Sequence, residues 1–379
     1  MRKVLVITGS RGEWGYLRPI LALMQNDSML DFDILATNMQ VLERYGSTYR
    51  EIERDGFEVR YKIPMAYEGD TPMSHIKSLG SVLLSLGDIL NSQRYDFILL
   101  AGDRGEQLMG AIAGAYAYIP TLHIQAGEVS GNIDGSVRHA IGKLVHLHSA
   151  SNKDAENRLK SLGEQEFRVH NTGAPQIDDM LQDLPDIATT LQDLKIPESK
   201  GFLLVVMHPI TEDVENLDEY MDELLIALAQ EKGNKIVILP NNDYGSDVVR
   251  SKINNHNIPA TFIFRNLGRS IYLTLLKNAR CIVGNSSSGI LEAPTYQTPC
   301  INIGGRQANR YQGSNVINCN FDNQEIIQAI RQATSEKFSE LMKQGDQTPY
   351  GFGDSSRQIV DIIKNTRVDR SLLVKELTV

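Results

Sequence analysis

Residues 3–24, KVLVITGSRGEWGYLRPILALM, decide the fold. Val4–Ile7 is a continuous apolar run, Gly9–Gly15 is a loop punctuated by glycines, and from Tyr16 to Met24 apolar residues recur at helical spacing. A strand that turns through glycines into an amphipathic helix is the first half of a βαβ unit. A strand apolar on both sides suits a parallel sheet covered by helices on both faces. The glycines are spaced GxxGxxG rather than GxGxxG, so the dinucleotide fingerprint is absent.

The alternation repeats outward from that stretch. Strands are expected at Lys3–Thr8, Phe32–Thr37, Phe57–Ile63, Asp96–Ala101, Thr121–Ile124 and His146–Ser149. Helices are expected at Tyr16–Met24, Val41–Asp55, Ser74–Asn91, Gly105–Ala117, Val137–Leu144 and Lys153–Leu162. The pattern weakens from Gln176 to Lys200, an acidic stretch with Pro185 and Pro197 that reads as an interdomain connection with a short helix. It then restarts, with strands at Phe202–Met207, Lys235–Leu239, Thr261–Phe264, Cys281–Val283 and Cys300–Ile303. Helices at Leu217–Gln230, Ser246–Asn254, Ile271–Lys277 and Ile290–Gln297 go with them. The expected class is α/β: two Rossmann-like domains, 1–180 and 181–354, facing one another across a cleft. The helical tail, 355–379, is expected to return to the first domain.

Composition narrows the functions. The 379 residues include 38 basic and 47 acidic side chains, a net charge of −9, which disfavours nucleic acid and anionic membrane as partners. With 41% apolar and 22% charged residues the chain is an ordinary globular one. Three isolated cysteines indicate neither a disulfide framework nor a zinc site. The opening MRKVLVITGS is too short for a signal h-region or a spanning helix, so the reducing cytoplasm is the expected compartment.

Ligands in open parallel sheets bind beyond the carboxyl ends of the strands, so the residues after each strand carry the functional reading. After the first strand, Arg11 and a helix N-terminus form either an anion site or a plain βα turn. After the fourth, Asp103 and Arg104 either cap a helix or act chemically. The loop after the fifth adds His123, Gln125 and Glu128, then Asp134, Arg138 and His139, a density of titratable groups that favours chemistry. His146 and His148 alternate with apolar residues and read as core or as support behind the site rather than as catalytic groups. In the second half His208 ends a strand, where it can bind phosphate, donate a proton or serve structure. Asn241-Asn242-Asp243 suits a base or ribose, or simply a turn. GNSSSG at Gly284–Gly289 opens a helix bearing Glu292 and suits a diphosphate. It lacks the GK[ST] of a triphosphate loop and the GxSxG of a nucleophile elbow. Arg306 and Arg310 follow the next strand as a further phosphate fork.

The segments TGSRGEWG, AGDRGE, HIQAGEVSGNIDGSVRHAIGKL, NTGAP, MHP, PNNDYGS, GNSSSGILEAP and INIGGRQ occur in that order from about residue 3 to 310. Together they resemble the hydrolysing UDP-N-acetylglucosamine 2-epimerase family of sialic-acid biosynthesis. The resemblance implies the GT-B fold and conversion of UDP-GlcNAc and water to N-acetylmannosamine and UDP, with no redox cofactor or metal. The partner is then a UDP-sugar, and a homodimer or homotetramer is expected. On matching positions, Ser286 and Ser287 would bind diphosphate, Glu292 ribose, and His208 and Arg306 phosphate oxygens, with Arg11 and Arg104 from the first domain. Asn242 and Gln125 would touch substrate. Asp103 and Asp134, with Glu128, Arg138 and His208, form the expected catalytic set. Many members have a glutamate where this chain has Gln125, and an amide cannot be a general base. The same contacts would serve a 2-epimerase for a UDP-2,4-diacetamido-trideoxy sugar, a non-hydrolysing epimerase, a GT-B glycosyltransferase or a nucleotide-sugar sensor.

Overall fold

The apolar runs pair only in parallel, as their coverage by helices requires. The computed structural model describes residues 1–379 other than 44–45, 66–70, 131–132, 198, 200, 242, 346–348, 377 and 379. The chain divides into two units: Met1–Val129 with Ile133–Leu181 and Tyr350–Val379, and Ser130–Asn132 with Gln182–Pro349.

The first unit holds β1 (Arg2–Thr8), β2 (Leu30–Thr37), β3 (Val59–Ile63), β4 (Phe97–Ala101), β5 (Thr121–Ala126), β6 (Leu147–Ala150) and β7 (Val169–Asn171). Their order is β3-β2-β1-β4-β5-β6-β7. The second holds β8 (Phe202–Val206), β9 (Asn234–Ile238), β10 (Thr261–Phe264), β11 (Cys281–Gly284), β12 (Cys300–Ile303) and β13 (Val316–Cys319), in the order β10-β9-β8-β11-β12-β13. Each is a doubly wound, Rossmann-like sheet whose strand order reverses beside its first strand.

The helix Arg11–Gln25 buries Trp14, Leu17, Ile20, Leu21 and Met24 against the β1 residues Val4 and Val6. Each fully buried aliphatic side chain there contributes ~1.5–3 kcal/mol. Trp14 meets Phe57 edge-on at 5.3 Å between ring centroids. The C-terminal helix Ser355–Asn365 adds Ile359, Val360 and Ile363 to the same core. Arg168, fully buried, fastens the chain beyond it by donating to the carbonyls of Ser371, Leu372 and Val374 at 2.6–3.1 Å. Among the described residues no helix is long and apolar enough to cross a membrane. The three cysteines are free thiols, and burial pushes those of Cys281 and Cys319 up to about 12.

Four expectations need correction. Val41–Asp55 is not one helix: a 3₁₀ turn at Asn38–Gln40 is followed by a short helix at Tyr49–Arg54. Ile290–Gln297 breaks into a helical turn, Ser288–Leu291, and a 3₁₀ turn, Ala293–Tyr296, because Pro294 lacks the N–H a longer helix needs. The connection after Gln176 contains two short helices, Gln176–Met180 in the first unit and Ile187–Asp193 in the second. The edge strands β7 and β13 escape the sequence reading. They are three and four residues long and half exposed, without the continuous apolar run of a central strand.

Candidate functional site

The two reversals of strand order, β1/β4 and β8/β11, carry most of the expected site residues at their carboxyl ends. A buried amide side chain ties each one. In the first unit Gln107 donates from Nε2 to the Ile7 carbonyl at 3.2 Å and accepts from the Ala101 N–H at 3.1 Å. In the second, Asn285 accepts from the His208 N–H at 2.8 Å and donates to the His208 carbonyl at 2.9 Å. Gly284 permits that clasp. Its φ is +137°, and a Cβ would stand 2.1 Å from the Val206 carbonyl oxygen.

The loop after β1 is closed by its own acid. Ser10 and Glu13 form a capping box at the start of the helix Arg11–Gln25. The Glu13 carboxylate takes the N–H groups of both Gly9 and Ser10. These two amides are thereby taken, which leaves an anion here the first-turn amides of the helix and the half-buried Arg11 side chain. Glu13 and Glu106 are both buried, and Asn38 donates to both oxygens of Glu106 at 3.1 and 3.2 Å. Arg104 stands 3.4 Å from Glu106, so this arginine is engaged inside its own unit. Burial, reinforced by the neighbouring Glu106 charge, raises the Glu13 pKa well above its ordinary value.

Asp103 follows β4 and is held by Arg138, which donates to its carboxylate from Nη2 and to the Gln125 carbonyl at 2.6 Å from Nη1. Arg138 is buried, whereas the Asp103 side chain keeps a fifth of its surface exposed, enough for contact with a ligand. Gln125 lies at a register shift between β5 and β6 with φ +63°, a left-handed conformation uncommon away from glycine. It is buried and donates from Nε2 to Gln176 at 3.2 Å. Asp134 lies in the first turn of the helix Ile133–Leu144, half buried and one turn ahead of Arg138 on the same face. Glu128 is buried, and one of its oxygens accepts from Ser151 and, at 2.6 Å, from Asn152.

Burial holds His123, His139, His146 and His148 in the neutral imidazole form. His123 is fully buried and bonds the Gly102 carbonyl through Nε2 at 2.6 Å, and burial lowers its pKa to about 3. Its ring instead shapes the turn before Asp103. His139 is also lowered, first by burial and then by Arg138. His148 pairs with Glu164 at 3.0 Å, and burial lowers both His146 and His148 to about 4.

The second unit brings together hydroxyls and bases. Ser287 begins the turn Ser288–Leu291 without a cap from its own side chain, and Ser286 Oγ accepts from the Ser288 N–H at 3.4 Å. Ser286 contacts Ser288 through their hydroxyls at 3.0 Å, and Ser288 in turn meets the hydroxyl of the half-buried Tyr272. Glu292 is paired with Arg269 at 2.7 Å. Arg306 donates to the Asn285 carbonyl at 3.3 Å and lies 3.6 Å from Asp243. Gln307, buried and braced by Arg310 at 2.8 Å, donates to the same carbonyl at 3.0 Å. Asn241 and Asp243 hydrogen-bond one another, which is turn chemistry. Asn242 lies outside the described residues. Sequence reasoning missed Glu13, Glu106, Gln107, Arg269, Tyr272 and Gln307. Of these only Glu13 carries a local signal, the S-x-x-E spacing from Ser10.

The profile of the UDP-N-acetylglucosamine 2-epimerase family matches residues 22–364. The chain is 33% identical over 336 residues, 88% of each chain, to a UDP-N-acetylglucosamine 2-epimerase of Neisseria meningitidis. It is 30% identical to a hydrolysing UDP-N,N'-diacetylbacillosamine 2-epimerase of Legionella pneumophila, over 99% of both chains. Among solved structures, a UDP-GlcNAc 2-epimerase from Neisseria meningitidis bound to UDP-GlcNAc shares the fold, with a TM-score of 0.79 at 18% identity over 96% of this chain and 100% of that one. Matched over most of its length, with two doubly wound sheets and the expected groups at their points of reversal, this chain belongs to the UDP-N-acetylglucosamine 2-epimerase family.

Proposed function

We propose that the protein is a hydrolysing 2-epimerase that converts UDP-GlcNAc and water into N-acetylmannosamine and UDP. The observation that carries this reading is the Asp103–Arg138 pair: a carboxylate at a strand end, part exposed, oriented by a buried arginine that also grips the Gln125 carbonyl. In the proposed reaction a first-unit carboxylate removes the C2 proton while the C1–O bond to UDP breaks, leaving 2-acetamidoglucal. Water then adds across the double bond, its oxygen to C1 and a proton to C2 on the face that gives the manno configuration. Asp103 and Asp134 exchange the protons, as two nearby carboxyls can serve as acid and base in turn. Glu128, with hydrogen bonds from Ser151 and Asn152, supports the loop rather than reacting.

Ser286, Ser287, His208 and Arg306 take the UDP diphosphate and stabilise its charge as it leaves. Glu292, aligned by Arg269, takes the ribose hydroxyls. His208 suits this work as a donor. Its Nδ1 faces the Asn241 N–H at 3.5 Å, which leaves the neutral-form proton on Nε2. The assembly needs no cofactor in this scheme, and the cytoplasm, where sugar nucleotides are made, is the proposed compartment.

A second reading has its own support in the Legionella relative, matched over 99% of the chain: a substrate with acetamido groups at C2 and C4. NMR of the reaction in D2O separates the readings. Free N-acetylmannosamine with deuterium at C2, together with UDP, is expected. UDP-N-acetylmannosamine as product would make the enzyme non-hydrolysing. Turnover of the diacetamido sugar nucleotide alone would establish the second reading, and release of UDP only with an added acceptor would indicate a transferase.

A further inference from the structure

The first unit buries an amide that its own fold leaves half satisfied. Gln176 opens the short helix Gln176–Met180 and is fully buried. Its Oε1 accepts from Gln125 Nε2 at 3.2 Å, while its own Nε2 has no hydrogen-bond partner among the described residues. A buried amide with an unpaired end costs stability, and an apolar side chain would fill the same place without that cost. The helix that carries Gln176 is nevertheless pinned from two sides. Arg18 of the helix Arg11–Gln25 pairs with Asp179 at 2.9 Å. Asp178 accepts the N–H groups of Ser355 and Ser356, at the start of the C-terminal helix, at 3.3 and 2.7 Å. This anchoring fixes where the Gln176 side chain stands.

The residue that Gln176 holds is itself constrained. Gln125 has φ +63°, a left-handed conformation that persists in a non-glycine residue only where the surroundings over-determine it. Here Arg138 Nη1 donates to its carbonyl at 2.6 Å, and Gln176 takes its side-chain N–H. Arg138 also donates to Asp103, so one hydrogen-bonded chain runs Asp103–Arg138–Gln125–Gln176 within the first unit. We propose that Gln176 is a positioning residue: by taking the Nε2 end of the Gln125 amide, it leaves the Oε1 end as the acceptor for an N–H or hydroxyl of the sugar beside Asp103. This inference rests on the epimerase reading of the site and adds a residue to it. An amide can offer a ligand either end, and the wrong end would set one donor against another. Gln176 removes that choice, touches no reacting atom, and acts wholly through Gln125.

Steady-state kinetics of the full chain test this, with whichever sugar nucleotide the D2O experiment shows to be turned over. Gln176→Leu should lower kcat by ~10-fold with KM little changed, the loss expected of misalignment. Gln176→Glu keeps an acceptor at the same place and should recover most of that rate. Because Gln176 acts through Gln125, the double variant Gln125→Ala/Gln176→Leu should be no slower than Gln125→Ala alone. Independent losses would instead multiply to ~100-fold. That multiplied loss would overturn the proposal, as would a wild-type kcat in Gln176→Leu or a change confined to KM. Should Gln176→Leu fail to fold, Gln176→Met, closer in shape to the amide, takes its place in the cycle. Melting temperatures of the same four proteins should be non-additive too, and additive shifts would count as a refutation. The melts need no substrate, so they still judge the Gln125–Gln176 coupling if the chain proves to catalyse a different reaction.

Discussion

The two sheets reverse order at corresponding places, and both reversals are clasped by one buried amide, yet their surfaces are opposite in chemistry. At β1/β4 the helix terminus is capped from within by Ser10 and Glu13, and the buried groups are acids: Glu13, Glu106 and, part exposed, Asp103. At β8/β11 the helical turn after Asn285 is met by serine hydroxyls rather than an acid, with His208 and Arg306 beside it. A hydroxyl-lined turn beside a cation suits a phosphate better than a terminus bonded by its own acid. One topology thus presents two chemistries, and the side chains at the point of reversal decide which.

The sharpest attempt to break this division is Asp103→Asn. Turnover should fall by ~10²–10⁴-fold for a lost general acid or base, with UDP affinity nearly unchanged. Circular dichroism must accompany it, because Arg138 would lose its charge partner. If UDP affinity by calorimetry collapses along with the rate, the acids and the nucleotide groups are not separate. Asp134→Asn should behave likewise, and a near wild-type rate there would make that residue part of the helix start only.

Next in size is Arg306→Ala, which should weaken UDP binding by ~1.5–3 kcal/mol, the range of a charge-assisted contact. Unchanged affinity would remove the diphosphate from the second reversal. Gln125 lies on the acidic side and should matter for alignment. Gln125→Ala is expected to cost ~10-fold in kcat through lost preorganisation. Gln125→Glu should be tolerated or faster; altered release of 2-acetamidoglucal in D2O would instead make position 125 a participant in proton transfer.

The smallest effect concerns pH. Glu13 has a raised pKa in the folded chain, so above its ordinary value of 4.5 the native state holds a proton the unfolded state has lost. Stability should therefore decline as pH rises from 4.5 through the raised native value. Glu13→Gln, which mimics the protonated form, should remove that decline. The gap between the two melting temperatures should widen with pH, by about 2–4 °C per kcal/mol for a unit of this size. Parallel curves would show that the carboxylate bears no such strain.

Much of this was legible in the chain. Central strands announce themselves because burial on both faces demands unbroken apolar runs such as Val4–Ile7 and Phe202–Val206. GNSSSG likewise shows in sequence as the turn that leads from β11 into a helical turn. The edge strands β7 and β13 left no comparable trace, since half-exposed backbone tolerates polar residues. His123 misled in the opposite direction. In sequence it stands among titratable groups, but burial lowers its pKa to about 3 and outweighs the hydrogen bond to the Gly102 carbonyl, which acts the other way.

What the sequence determined by itself was periodic and local: two runs of βαβ units, the glycines at close approaches, and the types of group that follow each strand. What only the tertiary structure decided was which of those groups spend their hydrogen bonds on the protein. The S-x-x-E spacing foretells that Glu13 takes the Ser10 amide, but no spacing rule pairs Arg104 with Glu106 or bonds Glu128 to Ser151 and Asn152. The physical reason is that burial makes an unpaired polar group costly, so partners are fixed by three-dimensional proximity. Residue type states what a side chain can do; packing states what remains for it to do.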